Sequence, residues 1–247
     1  MRRLLGALFL GPALAAATAS GQSCALPHFG APVRIFSPTS AAPATLRYAP
    51  VTADFDGDGH ADVATLDSVA NAVVILFGDG RGGFEPRAFT PGGSWLRSAD
   101  FDGDGRRDLL VVGPRQMQVV FVGLDRTLAG GPITSPPAEQ VFRGFEQSAV
   151  GDFDGSGSVD VAVLSSSGLD LYFGNGTGAF GAPRVAAFPP GYFALRLEAA
   201  DFDGDGRTEV AAIAPSRHSS SLVRWNGSGL DLVTAFNGGQ NTSATAV

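Results

Sequence analysis

Short apolar runs alternate with glycine-rich polar turns along most of this chain. Clear examples are Ala72-Val73-Val74-Ile75-Leu76-Phe77, residues 84–89 and residues 95–99. Runs of four to eight residues bounded by Gly, Asp and Pro favour β-strands over helices. After residue 19, no segment has the 3.6-residue apolar period over a helical length. The pattern therefore predicts an all-β protein.

One acidic, glycine-rich loop occurs four times, each time directly before an apolar run. The loops span 54–62, 100–108, 152–160 and 201–209, and their first aspartates are 46, 52 and 49 residues apart. A period near fifty residues indicates a small repeated unit. Each unit contains four short predicted strands, which is the organisation of a β-propeller blade. The sequence therefore predicts a β-propeller-type array of four-stranded blades, and the shorter coils of a parallel β-helix are disfavoured.

The repeat count is about four and a half. Residues 28–36 match the closing part of a unit at 178–185, and residues 242–247 match 145–150, which precede the third loop. Four and a half blades would leave unpaired strands at both ends of such an array. We therefore expect an incomplete ring, either because the chain is truncated or because another molecule completes it.

The acidic loops have the composition of metal sites. Oxygen-bearing side chains stand at positions 1, 3, 5 and 9, and the carboxylates among them would repel one another without a cation. The glycines at positions 4 and 6 are expected to let the backbone curl around a common centre. Hard oxygen ligands in a flexible loop favour Ca²⁺, and up to four ions are predicted. At position 7 the backbone carbonyl is the expected ligand, with its side chain pointing outward. The predicted ligands are Asp54, Asp56, Asp58, His60 and Asp62; Asp100, Asp102, Asp104, Arg106 and Asp108; Asp152, Asp154, Ser156, Ser158 and Asp160; and Asp201, Asp203, Asp205, Arg207 and Glu209.

Two other interpretations of the loops are weaker. An EF-hand requires a bidentate Glu at position 12 and flanking helices, whereas position 12 here is Thr65, Val111, Val163 or Ala212 within an apolar run. A solvated Asp/Gly turn does not require a carboxylate at position 9. The third loop is the weakest metal site, because Ser156 stands at position 5, where its hydroxyl or a water molecule would have to replace a carboxylate as the ligand.

The charge of the chain is concentrated in these loops. Fifteen of the 24 acidic residues lie there, and the formal net charge is −7. Four bound Ca²⁺ ions would nearly cancel that charge. There is no basic run and no basic stripe interleaved with aromatic residues, so the sequence predicts no nucleic-acid partner.

The N-terminus has the pattern of an export signal. Two arginines are followed by about fourteen mostly apolar residues and by Ala17-Thr18-Ala19, which predicts a cleavable signal peptide at residues 1–19. The apolar stretch is shorter than the roughly 20 residues of a membrane span. We therefore expect a secreted protein, extracellular or periplasmic, with repeats over 20–247. Its single cysteine, Cys24, cannot form an internal disulfide.

No catalytic motif is present. His28, His60 and His218 are scattered, and neither a G-x-S-x-G elbow nor a zincin motif occurs, so we expect no enzymatic activity. Four aromatic residues near predicted strand ends could either bind a sugar or pack between blades, and packing is the favoured interpretation. They are Trp95, Tyr192, Phe193 and Trp225.

The loops and turns together resemble the FG-GAP/VCBS repeat family, whose blades form integrin α-subunit propellers and occur in secreted bacterial proteins. The Phe-Gly element stands at Phe77-Gly78 and Phe173-Gly174, and the sequence Phe-Gly-Ala-Pro begins at Phe29 and at Phe180. The second unit departs from the pattern, with Phe121-Val122-Gly123-Leu124. The resemblance implies a calcium-stabilised scaffold that binds an extracellular protein or cell-surface partner. A lectin-like, glycan-binding propeller and an accessory region of a larger secreted enzyme are the alternatives.

Overall fold

The computed structural model describes residues 50–67, 70–90, 93–137, 141–142, 148–166, 168–188, 196–214 and 219–237. Several sequence predictions fall outside these ranges: the signal peptide at 1–19, Cys24, His28, the strand at 29–36, Tyr192, Phe193, His218 and residues 242–247. A search of the described residues finds no helix with the length and apolarity that a bilayer crossing requires.

The described residues form sixteen strands in four antiparallel sheets, which we call units 1 to 4. Unit 1 contains β1 (Val51–Ala53), β2 (Asp62–Asp67), β3 (Ala72–Gly78) and β4 (Phe84–Phe89). Unit 2 contains β5 (Trp95–Ala99), β6 (Asp108–Val112), β7 (Met117–Val122) and β8 (Leu128–Thr134). Unit 3 contains β9 (Ser148–Gly151), β10 (Asp160–Leu164), β11 (Leu169–Tyr172) and β12 (Arg184–Ala186). Unit 4 contains β13 (Arg196–Ala200), β14 (Glu209–Ala214), β15 (Ser219–Trp225) and β16 (Leu230–Asn237).

In every unit the strands are hydrogen-bonded in chain order, and the acidic loop connects the first strand to the second. Register fixes the ends of each loop: Ala53 pairs with Asp62, and Ala99 pairs with Asp108. The same pairing joins Gly151 to Asp160 and Ala200 to Glu209. Because the first strands β1, β5, β9 and β13 lie beside one another in succession, the four loops lie at the same end of the array.

Three apolar cores hold neighbouring units together. The core between units 1 and 2 includes Phe55 and Ile75 from one sheet and Val111 from the next. Each central sheet therefore packs on both faces, and β6 and β10 are buried at every position. This two-sided burial explains why their sequences are continuous apolar runs and not alternating ones.

The fourth strands form the exposed rim. Strands β4 and β8 are mostly half-buried or exposed, and each contains a proline, Pro86 or Pro132. Proline removes a backbone donor and is tolerated at sheet edges. Unit 2 departs from the sequence pattern of the other units near its outer strands. The structure forms them, with an irregular register between Gln118 and Val120.

The structure confirms the predicted all-β array of four-stranded units. Trp95 is 2% exposed and belongs to the core between units 2 and 3. Trp225 packs edge-on against Phe173 with ring centroids 5.0 Å apart. Both tryptophans therefore have the packing role that the sequence favoured.

Candidate metal sites in the acidic loops

The loop backbone curls around its first carboxylate. In the first loop, Gly57 and Gly59 have φ angles of 75° and 85°, a region that side-chain-bearing residues rarely adopt. This curl directs both glycine amides inward, and they donate to Oδ1 and Oδ2 of Asp54 at 2.8 and 2.9 Å. Asp100, Asp152 and Asp201 accept the equivalent pairs of bonds. The structure thus confirms the predicted function of the glycines at positions 4 and 6.

The side chains at positions 3 and 5 also accept backbone amides. Asp56 Oδ1 accepts from the amide of Asp58 at 3.1 Å, and Asp58 Oδ1 accepts from that of His60 at 2.8 Å. In the third loop, Ser156 Oγ accepts from the amide of Ser158 at 3.3 Å. The hydroxyl therefore takes the backbone partner that a carboxylate takes elsewhere, so the third loop keeps its shape.

In units 1 to 3, the carboxylate at position 9 connects the acidic loop to the end of the third strand. Asp62 accepts from the amide of Phe55 through Oδ2 and from that of Gly78 through Oδ1, both at 2.8 Å. Asp108 and Asp160 make the same two kinds of bond. The sequence suggested only a metal-binding function for these residues and missed this structural one. The available signal was the fixed spacing of position 9, directly before an apolar run.

Glu209 breaks this rule. Its Oε2 accepts from the amide of Phe202 at 2.8 Å, but its Oε1 has no hydrogen-bond partner among the described residues. The side chain is only 1% exposed. An unpaired buried carboxylate oxygen is unfavourable. The fourth loop therefore contains a buried, negatively charged atom that a cation would satisfy.

The loops differ in how many carboxylates converge. In the fourth loop, one oxygen from each of four side chains lies within 4.8 Å of the others, and the set is Asp201, Asp203, Asp205 and Glu209. Three converge in each of the other loops; the sets are Asp54, Asp56 and Asp58; Asp100, Asp102 and Asp108; and Asp152, Asp154 and Asp160. Of the predicted carboxylate ligands, Asp62 and Asp104 lie outside these sets. The donor sets are all oxygen, and they fit a hard divalent cation such as Ca²⁺.

The side chains at position 7 follow two patterns. His60 and Arg207 are exposed, as expected, and the side chain of Arg207 also lies beside Gly155 of the third loop. Arg106 is half-buried, because its guanidinium pairs with Asp104 of the same loop and Nε donates to the carbonyl of Val122 at 3.3 Å. Its side chain also lies over Gly57 of the first loop. The expectation of an outward side chain is therefore wrong for Arg106, which lies at the contact between two units.

Burial makes the charge of these loops costly. It raises the pKa of Asp108 and that of Asp160 to about 6, against an ordinary value near 3.8, while hydrogen bonds from backbone amides act in the opposite direction. Burial also raises the pKa of Asp62. Each position-9 aspartate therefore pays a desolvation penalty that a nearby positive charge would offset.

Two further arginines, both from outside the loops, contact loop carboxylates through side-chain hydrogen bonds. Arg224 of β15 donates to Asp203 Oδ2 at 3.1 Å, within its own unit. Arg126 of unit 2 donates to Asp56 Oδ2 at 2.6 Å and to Asp58 Oδ2 at 3.2 Å, both in unit 1. The sequence analysis missed these arginines, and an alignment of the turns from one unit to the next would have marked Arg126.

An open cleft of about 600 Å³ lies between the first and second loops. Its polar lining combines Asp54 with Ser98, Arg106 and Arg107. Arg107 is exposed and donates to the carbonyl of Ser98 at 3.3 Å. The cleft therefore presents a carboxylate, a hydroxyl and guanidinium groups to solvent.

The solved structures that resemble this chain include a lectin from Agrocybe aegerita, described as recognising non-reducing terminal N-acetylglucosamine. That match has 20% identity and a TM-score of 0.52, and it covers 76% of this chain and 50% of the lectin, so the chain spans about half of the lectin's length. The V. cholerae biofilm matrix protein Bap1 matches at 16% identity over 72% of this chain and 37% of Bap1, with a TM-score of 0.37. The Photorhabdus luminescens Tc holotoxin pore matches at 21% identity over 82% and 10% of the two chains, with a TM-score of 0.39. A search of curated proteins gave no significant match.

A family model for the FG-GAP-like repeat matches residues 54–111 and 152–212. These two ranges contain all four acidic loops and all or most of the second strand of each unit. The lectin, at its level of identity, supports the β-propeller-like fold alone. Residues 54–111 and 152–212 of this chain are therefore FG-GAP-like repeats.

Proposed function

We propose that this protein is a secreted, non-enzymatic binding scaffold whose β-propeller-like units are stabilised by calcium in the acidic loops. The observation that carries the proposal is the fourth loop, where four carboxylates converge around the unpaired, buried Oε1 of Glu209. Calcium would supply positive charge to that set of oxygens. The chain's own contribution is the backbone curl that holds the oxygens in place before any ion arrives.

The same hydrogen bonds argue for a structural and against a catalytic use of the carboxylates. Asp54 accepts two amides, and Asp62 accepts two more. A general acid or base needs a position from which it can reach a substrate proton. Carboxylates that close a turn and join two strands are better suited to maintaining the fold.

Calcium titration of the purified chain tests the proposal. Extracellular calcium modules have dissociation constants on the order of 10⁻⁴ to 10⁻³ M, and an ion at about 100 times its dissociation constant stabilises a fold by about 2.7 kcal/mol. We expect EDTA to lower the melting temperature and excess calcium to restore it. Magnesium at the same ionic strength is the control. An identical melting temperature in EDTA and in calcium would refute the calcium proposal.

A glycan is the second candidate partner, because the cleft between the first two loops offers polar groups of the kind that bind sugar hydroxyls. Thr52, Ser98 and Arg107 would supply these groups. A glycan array on the calcium-loaded chain tests this candidate, with terminal N-acetylglucosamine among the probes and Arg107→Ala as the variant. Binding that survives this substitution unchanged would exclude the cleft.

A further inference from the structure

The turn between the third and fourth strands has one design in units 1 to 3. In each, an amide donates to the carbonyl oxygen four residues later; the pairs are Asp79 to Gly83, Gly123 to Thr127 and Asn175 to Ala179, at 3.1, 2.9 and 3.3 Å. In this register, Arg126 stands where the other units have Gly82 and Gly178. All three residues have left-handed backbone, with φ angles of 64°, 92° and 71°.

An arginine at such a position is unfavourable for the backbone, because its Cβ crowds the carbonyl group. A strained residue that a fold retains is a reason to look for a function. Glycine at this place in two sister units shows that the turn does not need a side chain. The side chain of Arg126 therefore has another purpose.

Every guanidinium nitrogen of Arg126 contacts a carboxylate of unit 1. Nε donates to Asp56 at 2.6 Å, Nη1 to Glu85 at 2.9 Å and Nη2 to Asp58 at 3.2 Å. The guanidinium also lies over the ring of Phe77, with Cζ 5.2 Å from the ring centroid. Asp56 and Asp58 are the third and fifth positions of the first loop. One side chain of unit 2 thus neutralises two predicted metal ligands of unit 1.

The electrostatics agree with these contacts. The hydrogen bond to Asp56, followed by the one to Glu85, raises the pKa of Arg126. In return, the hydrogen bond from Arg126 is the main cause that lowers the pKa of Glu85. Each group thus stabilises the charged form of its partner.

The second loop receives no guanidinium from the equivalent turn, because Gly178 stands there. A Cβ at Gly178 would lie 2.4 Å from the ring of Phe121 in the preceding unit, so a side chain at this position would displace that ring. In the fourth loop, Arg224 reaches a single carboxylate of its own unit, and both partners are 42% exposed. Among the described residues, the first loop is therefore the one whose carboxylates receive an arginine from a neighbouring unit.

We propose that Arg126 supplies the positive charge in the first loop and holds unit 1 against unit 2, whereas calcium supplies that charge in the other loops. This inference rests on the proposed calcium function for its contrast between loops. The new element is that units 1 and 2 stay together without a divalent metal ion in the first loop. Calcium can enter the first loop only by competing with the guanidinium for Asp56 and Asp58.

The test compares Arg126→Gln with Arg224→Gln, a matched control that also removes an arginine from a loop carboxylate. Melting temperatures are measured in EDTA and in saturating calcium. In EDTA, we expect Arg126→Gln to melt roughly 2–4 °C or more below the wild type, as for a loss of about 1 kcal/mol in a domain of this size. Arg224→Gln should melt like the wild type. Added calcium should raise the melting temperature of Arg126→Gln more than that of the wild type.

The two proposals fail in different ways. If Arg126→Gln melts like the wild type in EDTA while calcium still stabilises both, Arg126 is not the cation of the first loop and the calcium function stands. If calcium stabilises neither protein but Arg126→Gln melts lower, the calcium function fails and the role of Arg126 is upheld. Isothermal titration adds a second readout, in which the variant should bind calcium in the first loop roughly tenfold more tightly.

A double-mutant cycle separates charge compensation from simple packing. Asp56→Asn keeps the oxygen that accepts the amide of Asp58 and removes the charge. If Arg126 acts by neutralising Asp56, the double variant should be less destabilised than the sum of the two single variants. Strict additivity would contradict the proposal. Should Arg126→Gln not fold in EDTA, Arg126→Lys replaces it, because lysine keeps the charge and loses the three-nitrogen fork. In EDTA, Arg126→Lys should melt below the wild type, and a melting temperature equal to that of the wild type would contradict the proposal.

Discussion

The first and fourth acidic loops have the same spacing of carboxylates and glycines, and their surroundings differ. In the first loop, Asp62 uses both oxygens on backbone amides, and Arg126 of the next unit neutralises two further carboxylates. In the fourth, Glu209 leaves one buried oxygen unpaired, and all four carboxylates converge. The motif alone therefore does not determine how its charge is compensated. Contacts with the neighbouring unit determine how the charge of each loop is compensated.

The phenylalanine at position 2 shows the same dependence. Phe55 is fully buried in the core between units 1 and 2, whereas Phe202 is 52% exposed, and no described unit covers its far side. We expect Phe55→Ala to lower the free energy of unfolding by about 3–5 kcal/mol. Phe202→Ala should cost about 1 kcal/mol, because roughly half of its surface is already in water. Urea unfolding measures both losses. Equal losses would contradict the predicted difference between Phe55 and Phe202.

The loops with aspartate at position 9 should make the stability of the protein depend on pH when no metal is bound. The pKa of Asp108 and that of Asp160 are raised to about 6 from about 3.8, so between these values the native state binds more protons than the unfolded chain. Stability in EDTA should therefore fall as pH rises from about 4 to about 6, by up to about 3 kcal/mol per carboxylate. Saturating calcium should oppose this trend, because it binds the ionised form. Asp108→Asn should reduce the slope of stability against pH in EDTA. An unchanged slope would contradict the assignment of this pH response to Asp108.

The position-9 side chains provide a sharper test of the two loops. Asp62→Asn replaces one amide acceptor with a donor, so we expect a loss of about 1–3 kcal/mol both in EDTA and in calcium. Glu209→Gln removes a buried charge whose Oε1 has no partner, so in EDTA it should cost little or be stabilising. In calcium it should lose the stabilisation that the wild type gains. Equal behaviour of the two variants in both conditions would show that the loops are equivalent.

Arg224→Gln should have the smallest effect. Arg224 and Asp203 are both substantially exposed, and solvent-exposed ion pairs contribute a median of about 0–1 kcal/mol. We expect a change below about 0.5 kcal/mol in denaturant unfolding at moderate salt. A larger loss would mean that the fourth loop, like the first, depends on an arginine.

The periodic features of this protein are predictable from its sequence. The four loops, their positive-φ glycines and most strands follow from local rules, because each is determined by residues within one unit. Even the replacement of a carboxylate by Ser156 has a local outcome, since its hydroxyl takes the equivalent amide. These features need no knowledge of how one unit packs on the next.

The features that distinguish the loops are not local. Arg126 is 70 residues from Asp56 in sequence, so its contact depends on the packing of two units. The two amide bonds of Asp62 depend on where β3 ends relative to the loop. Arg106 was expected to point outward, and it instead lies over Gly57 of the preceding loop. Such contacts require the register of whole sheets, which the loop motif does not specify.

The prolines of the outer strands have a consequence beyond the single chain. A peptide adding to β4 or β8 would need an unbroken series of backbone donors and acceptors along that strand. Pro86 and Pro132 each interrupt the series. Intermolecular sheet growth from the rim is therefore disfavoured in the first two units.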